Sequence, residues 1–117
     1  MTPGETLTLA QDLLERADAK TAGLWPRAAA LLARQALEES LDAYWTSKGL
    51  PLASLSMRPQ LICLERFLDD PSLATGINHA WSALTHACHH HPYELGPTTG
   101  ELLQWIAITR RFAERAA

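Results

Sequence analysis

The sequence predicts an all-α fold, a single-domain bundle of about five mostly antiparallel helices over residues 1–117. Three observations predict it. Apolar residues recur at three- and four-residue spacings along most of the chain, and no segment alternates with the period of two that a strand would show. Helix start and stop residues divide this pattern into blocks. The connections between blocks are short, as between neighbours in a bundle. A chain of 117 residues with 47% apolar residues can bury one proper core without disulfide staples.

The first helix is expected over about Thr8 to Ala22. Thr8 and Gln11 fit a capping box, in which each side chain satisfies a backbone N–H at the helix start. Ala10, Leu13, Leu14, Ala17 and Leu24 share one stripe, and Gly23 is the stop. Trp25-Pro26 opens the second helix, because proline is tolerated where an N–H would have no intrahelical partner. This helix continues to about Ser47, apolar on two sides. One stripe carries Ala30, Ala33, Leu37, Leu41, Tyr44 and Trp45, and a second carries the small residues Ala29, Ala36 and Ala43. A helix apolar on two sides is central. Lys48-Gly49-Leu50-Pro51 ends it.

A third, shorter helix is expected from about Arg58 to Leu68, with Ser56 as its cap. Asp69-Asp70-Pro71 stops it and starts a fourth helix over about Ser72 to His90, with Asp70 as cap and Gly76 as a break or kink in its first turn. Pro92 disfavours helical backbone at His91. A tight loop, Pro92 to Pro97, leads to a second capping box, Thr98 with Glu101. The last helix runs to about Glu114 on one stripe of Leu102, Trp105, Ile106, Thr109, Phe112 and Ala113.

The candidate chemistry is concentrated between Ile77 and Thr99, where all five histidines lie. On a helix, His79, His86 and His90 fall on one stripe, with His89 on the flank and His91 near the apolar edge. Leu73, Ile77, Trp81, Leu84 and Cys88 fall opposite, as the core face. The histidine face therefore meets solvent, another subunit or a ligand. His86 and His90, four residues apart, have the spacing that puts two imidazoles on one face for a zinc, copper or nickel ion, but a third ligand such as Glu94 or a second chain is needed. No resident metal and no cofactor is expected. Cys88 on the core stripe reads as an inert thiol, and Ser82 with His86 lacks an orienting acid. Arg34 sits at the edge of an apolar face. It reads as structural, with its guanidinium in water, paired with Glu38 or anchoring the Tyr93-Glu94 loop. Trp45, Trp81 and Trp105 fit core stripes, while Trp25 is the tryptophan expected to be partly exposed and to anchor an interface.

Composition excludes several classes. No apolar run approaches the roughly 20 residues that span a bilayer, and Met1 to Glu5 has no basic region followed by an apolar core, so neither a membrane span nor a signal peptide is expected. Cys63 and Cys88 form no disulfide framework, which favours the cytoplasm. A net charge of -3 gives RNA binding no support. No glycine-rich phosphate loop or zinc-ribbon spacing is present.

Two segments resemble the HEPN superfamily, small helical-bundle domains of prokaryotic toxins, defence systems and some eukaryotic proteins. Ala33-Arg34-Gln35-Ala36-Leu37-Glu38 is similar to the Ala-Arg-x-x-Leu-Glu pattern of one branch. Asn78 to His91, followed by a loop and a terminal amphipathic helix, resembles the family's polar helix end carrying a functional histidine. The likeness covers most of Trp25 to Ala113 in layout and a few residues in identity. It implies a bundle that pairs through its histidine-bearing helix. The family's ribonucleases carry an Arg, usually followed by a polar residue, then four to six residues, then a His. Here no Arg stands between Arg66 and Arg110, so that motif is not intact.

The expected function is a non-enzymatic, cytoplasmic interaction or regulatory domain, homodimeric or bound to a protein partner, of a prokaryotic defence or toxin–antitoxin system. Its surface is expected to hold His79, His86, His89, His90, Tyr93, Glu94, Arg34 and Trp25. The alternatives are a HEPN-type ribonuclease using His86 or His90 and a divalent-metal-binding protein.

Overall fold

Among the described residues the chain forms five helices and no strand: α1 (Pro3–Glu15), α2 (Trp25–Lys48), α3 (Met57–Phe67), α4 (Pro71–Cys88) and α5 (Thr99–Ala116). The structure is a computed structural model. It describes residues 1–16, 25–89 and 96–116, with Trp25 described by its backbone alone. The expectations for Leu24 and Gly23, for His90, His91, Tyr93 and Glu94, and for the Trp25 side chain lie outside the described residues.

Helix α2 is the axis of the bundle and packs on α1, α4 and α5. Its alanines at 29, 30, 33 and 36 are fully buried, with Leu7, Ala10, Leu84, Ala87 and Leu102 in the same cluster. Past Ala36 the same helix carries bulk: Leu37, Leu41, Tyr44 and Trp45 pack with Leu61, Leu64, Ile77 and Phe112. Full burial of one such large side chain stabilises by about 1.5–3 kcal/mol. Gly49 closes α2 at a φ of 69°, a left-handed conformation that glycine takes without strain. The Leu50 N–H then reaches Trp45 O at 3.0 Å and the Gly49 N–H reaches Thr46 O at 3.1 Å, which satisfies the carbonyls at the helix end.

The directions of the helices follow from which ends meet. Thr2, Pro3 and Gly4 line one cleft with Ser40 and Ala43 and with Arg110, Ala113 and Ala116, so α1 runs antiparallel to both α2 and α5. Asp70 fixes the start of α4 and ties it to the end of α5. Its Oδ1 accepts the Leu73 N–H at 3.0 Å, and its Oδ2 lies 3.4 Å from Arg115 Nη1 and 3.9 Å from Arg111 Nη2. Helices α4 and α5 are therefore antiparallel. Helices α2 and α5 are parallel, because Tyr44 and Phe112, each near its helix's C-terminal end, meet with ring centroids 5.6 Å apart.

Several boundaries differ from the sequence expectation. Helix α1 starts at Pro3, not Thr8: Thr2 is the cap, its hydroxyl accepting the Glu5 N–H at 3.1 Å. The Thr8 hydroxyl donates instead to Gly4 O at 3.0 Å, inside the helix. Ser56 has the extended backbone of a cap but makes no side-chain cap bond. Gly76 neither breaks nor kinks α4 out of its helical run. That helix ends at Cys88, where the His89 N–H turns to Thr85 O and His86 O. The Thr98 and Glu101 box forms as read: the Thr98 N–H donates to Glu101 Oε1 and the Glu101 N–H to Thr98 Oγ1, both at 3.0 Å. No helix among the described residues is long and apolar enough to cross a membrane.

Candidate functional site

Leu73, Ile77, Leu84 and Cys88 bury the inner face of α4, and its outer face carries Ser72, Thr75, Asn78, His79, Ser82 and His86, all exposed. The exposed His89 follows as the C-cap. No Asp, Glu, Lys or Arg occurs anywhere in α4. Each of the other four helices exposes at least two such residues, for example Glu5 and Glu15 on α1, Arg27 and Asp42 on α2, Arg58 and Glu65 on α3, and Glu101 and Arg111 on α5. The outward ridge of α4 is thus a strip whose only ionisable groups are imidazoles.

A groove flanks each side of this ridge. On the α5 side, His79, Ser82, Ala83, His86 and Ala87 face Gly96 and Pro97 and the Glu101 and Trp105 side chains across a cleft of about 390 Å³. The α5 capping box positions Glu101 there, and Trp105, 8% exposed, is the floor. On the α3 side, a cleft of about 470 Å³ is lined by Arg58, Leu61, Ile62, Asn78, Trp81 and Ser82. Ser82 borders both clefts and forms the crest between them.

The structure keeps His79 and His86 on one face, as the spacing predicted, and separates them from Arg34. Seven residues along a helix put the two imidazoles about 10 Å apart along the axis. One metal ion, whose nitrogen ligands sit at about 2.0–2.1 Å, does not span that distance. Among the described residues no three His, Cys, Asp or Glu side chains are grouped to hold a metal. Arg34 lies behind the ridge, with its guanidinium 4.7 Å from the centre of the Trp81 ring and Nε 3.4 Å from Glu38 Oε1. That Glu38 approach is an ion pair and not an aligned hydrogen bond, since Arg34 Nε is buried without a hydrogen-bond partner. The reading of Arg34 as structural and paired with Glu38 matches this geometry, whereas its place on a shared surface with the histidines does not.

Trp81 differs from its expected core position. It is half-buried and roofed by Arg34, which covers its ring face through a cation–π contact. Cys88 is buried, and burial pushes its thiol up from the ordinary range, a shift that the neighbouring Arg34 opposes. This is the environment of an inert thiol. Cys63 is only partly buried and packs against the cluster that holds Leu61 and Leu64.

Glu101, read from the sequence as a cap, Trp105, read as core, and Ile62, which is 59% exposed, frame the ridge. The charge-free composition of Pro71 to Cys88 was a usable signal for the ridge, because it stands in the sequence itself. Compared with known proteins, the chain matches no family model, no curated protein and no solved structure.

Proposed function

We propose that this chain is a regulatory helical domain that works by binding protein rather than by catalysis, and that it pairs with a second copy of itself through the outward ridge of α4. The observation that carries the reading is the absence of any Asp, Glu, Lys or Arg from that helix. A twofold contact places the same surface against itself, so a fixed charge on the ridge would meet its own kind. Depletion of charge at the centre is also what distinguishes interface cores from ordinary protein surface. The small Ser82 at the crest permits close approach of a second backbone, and the clefts on either side offer grooves for the ridge of the second copy. The resemblance to HEPN domains, which implies pairing through the histidine-bearing helix, agrees with this surface. It also suggests a place in a prokaryotic defence or toxin–antitoxin system.

Sedimentation equilibrium of the wild-type chain beside Ser82→Glu tests the reading. The exposed substitution leaves the circular dichroism unchanged and sets two carboxylates against each other at the crest. The expected result is a wild-type dimer and a folded, monomeric variant. A wild-type monomer at the highest soluble concentration, or a variant that pairs as strongly as wild type, overturns it.

A further inference from the structure

We infer that the cleft between the start of α1, the middle of α2 and the end of α5 binds a free α-amino acid with an aliphatic side chain. This site shares no residue with the α4 ridge or its two flanking clefts, so it stands or falls independently of the pairing proposed above. The cleft has a volume of about 280 Å³. Drug-sized ligands occupy pockets of roughly 300–1,000 Å³, so this one takes a smaller molecule. Its walls are Pro3, Gly4, Ala43, Ala113 and Ala116, and no aromatic ring lines it. The two hydroxyls that border it are engaged locally: Thr2 Oγ1 accepts the Glu5 N–H, and Ser40 Oγ donates to Ala36 O at 2.7 Å. The interior therefore offers apolar contact rather than hydrogen bonds. A Cβ added to Gly4 would come within 4 Å only of Thr2 Oγ1, at 3.9 Å, so the wall there is open.

Two charged side chains of α5 complete the lining, the half-buried Arg110 and the exposed Glu114. Among the described residues neither makes a hydrogen bond or an ion pair, with the other or with any third group. Residues four apart on a helix have Cβ atoms about 5–6 Å apart. The cleft thus presents one unpaired cation and one unpaired anion, a helical turn apart, beside an apolar floor. An α-amino acid has the matching arrangement. Its carboxylate meets the Arg110 guanidinium, which binds carboxylates in a two-point fork. Its ammonium meets Glu114, and its side chain fills the cleft. A fatty carboxylate satisfies Arg110 and sets its charge beside Glu114. An aliphatic amine satisfies Glu114 and is repelled by Arg110. A peptide holds its two terminal charges apart along its chain. Only the free amino acid carries both charges on adjacent atoms.

The test is isothermal titration of the wild-type chain with leucine, with isocaproate, which lacks the amino group, and with isoamylamine, which lacks the carboxylate. The expected result is leucine binding with a Kd of about 1 mM or tighter. Each analogue should bind on the order of tenfold more weakly. Arg110→Gln should abolish the preference for leucine over isoamylamine, and Glu114→Gln the preference over isocaproate. Gly4→Leu fills the cleft with a residue that favours helix, and should remove leucine binding while circular dichroism stays unchanged. Absence of saturable leucine binding to wild type overturns the site. An analogue that binds wild type as tightly as leucine overturns the zwitterionic ligand. A leucine affinity unchanged in Gly4→Leu or in Arg110→Gln places the amino acid elsewhere and overturns the assignment of this cleft.

Discussion

Replacing Gln60 by leucine removes one polar joint that holds α3 and its connector to α2. Gln60 is 4% exposed, and both ends of its amide are engaged. The indole N–H of the fully buried Trp45 donates to Gln60 Oε1 at 3.0 Å, and Gln60 Nε2 donates to Leu55 O at 2.7 Å. Gln60→Leu keeps the approximate length of the side chain and deletes both bonds. The Trp45 N–H is then sealed from water without an acceptor, which costs about 1–3 kcal/mol. The Leu55 carbonyl belongs to an exposed residue and turns to solvent, so its loss is nearer 0.5 kcal/mol. The expected net loss is about 2 kcal/mol, roughly 8 °C in Tm for a domain of this size. Urea unfolding followed by circular dichroism measures it. In a double-mutant cycle with Trp45→Phe, which removes the donor, the combined variant should lose at least about 1 kcal/mol less than the two single losses added together. A Gln60→Leu protein within about 0.5 kcal/mol of wild type, or a strictly additive cycle, refutes the bond as a stabilising joint.

Three further outcomes are expected. Gly76→Ala should raise stability by about 0.5–1 kcal/mol in the same urea assay, because the new Cβ meets Ile108 Cγ2 at 3.4 Å, the near edge of ordinary van der Waals contact. A loss of stability would show that α4 and α5 are already at their closest approach. With a thiol reagent under native conditions, Cys63 should label well before Cys88, whose thiol is buried and pushed up; equal rates would mean that the α2–α4 seam opens freely. Burial holds the Tyr44 phenol above its ordinary pKa, against the opposing pull of Arg115. Its contribution to stability is therefore intact below about pH 10 and lost as pH rises through the folded-state value, since the unfolded chain ionises first. Urea midpoints should fall above about pH 10, and Tyr44→Phe should remove part of that fall.

Local chemistry was legible where a residue acts on its own neighbours. Asp70-Pro71, Thr98 with Glu101, and Gly49 each settle a helix end within a few residues, and each behaves as read. Thr8 with Gln11 misleads because Thr2 with Glu5 has the same spacing about one turn and a half earlier, and Pro3 fits the first helical position. Relations across elements were not legible. That Gln60 answers Trp45, that Arg34 roofs Trp81, and that Arg34 and the histidines face different directions all depend on how α2, α3 and α4 are placed in space. His79 and His86 share one face because a helix keeps its own angular order whatever it packs against.

The run of alanines along α2 divides the molecule into halves that respond to mutation in opposite ways. Between Ala29 and Ala36 the neighbouring helices meet α2 across methyl groups with no exposed surface. Enlargement there has nowhere to go, and truncation has little left to remove. Between Leu37 and Trp45 the space is filled by large side chains, so shortening opens a void while swaps of similar volume are absorbed. A saturation library scored for folding should therefore show one helix with two grammars: at the buried alanines enlargement costs most, and at Leu37, Leu41, Tyr44 and Trp45 truncation does.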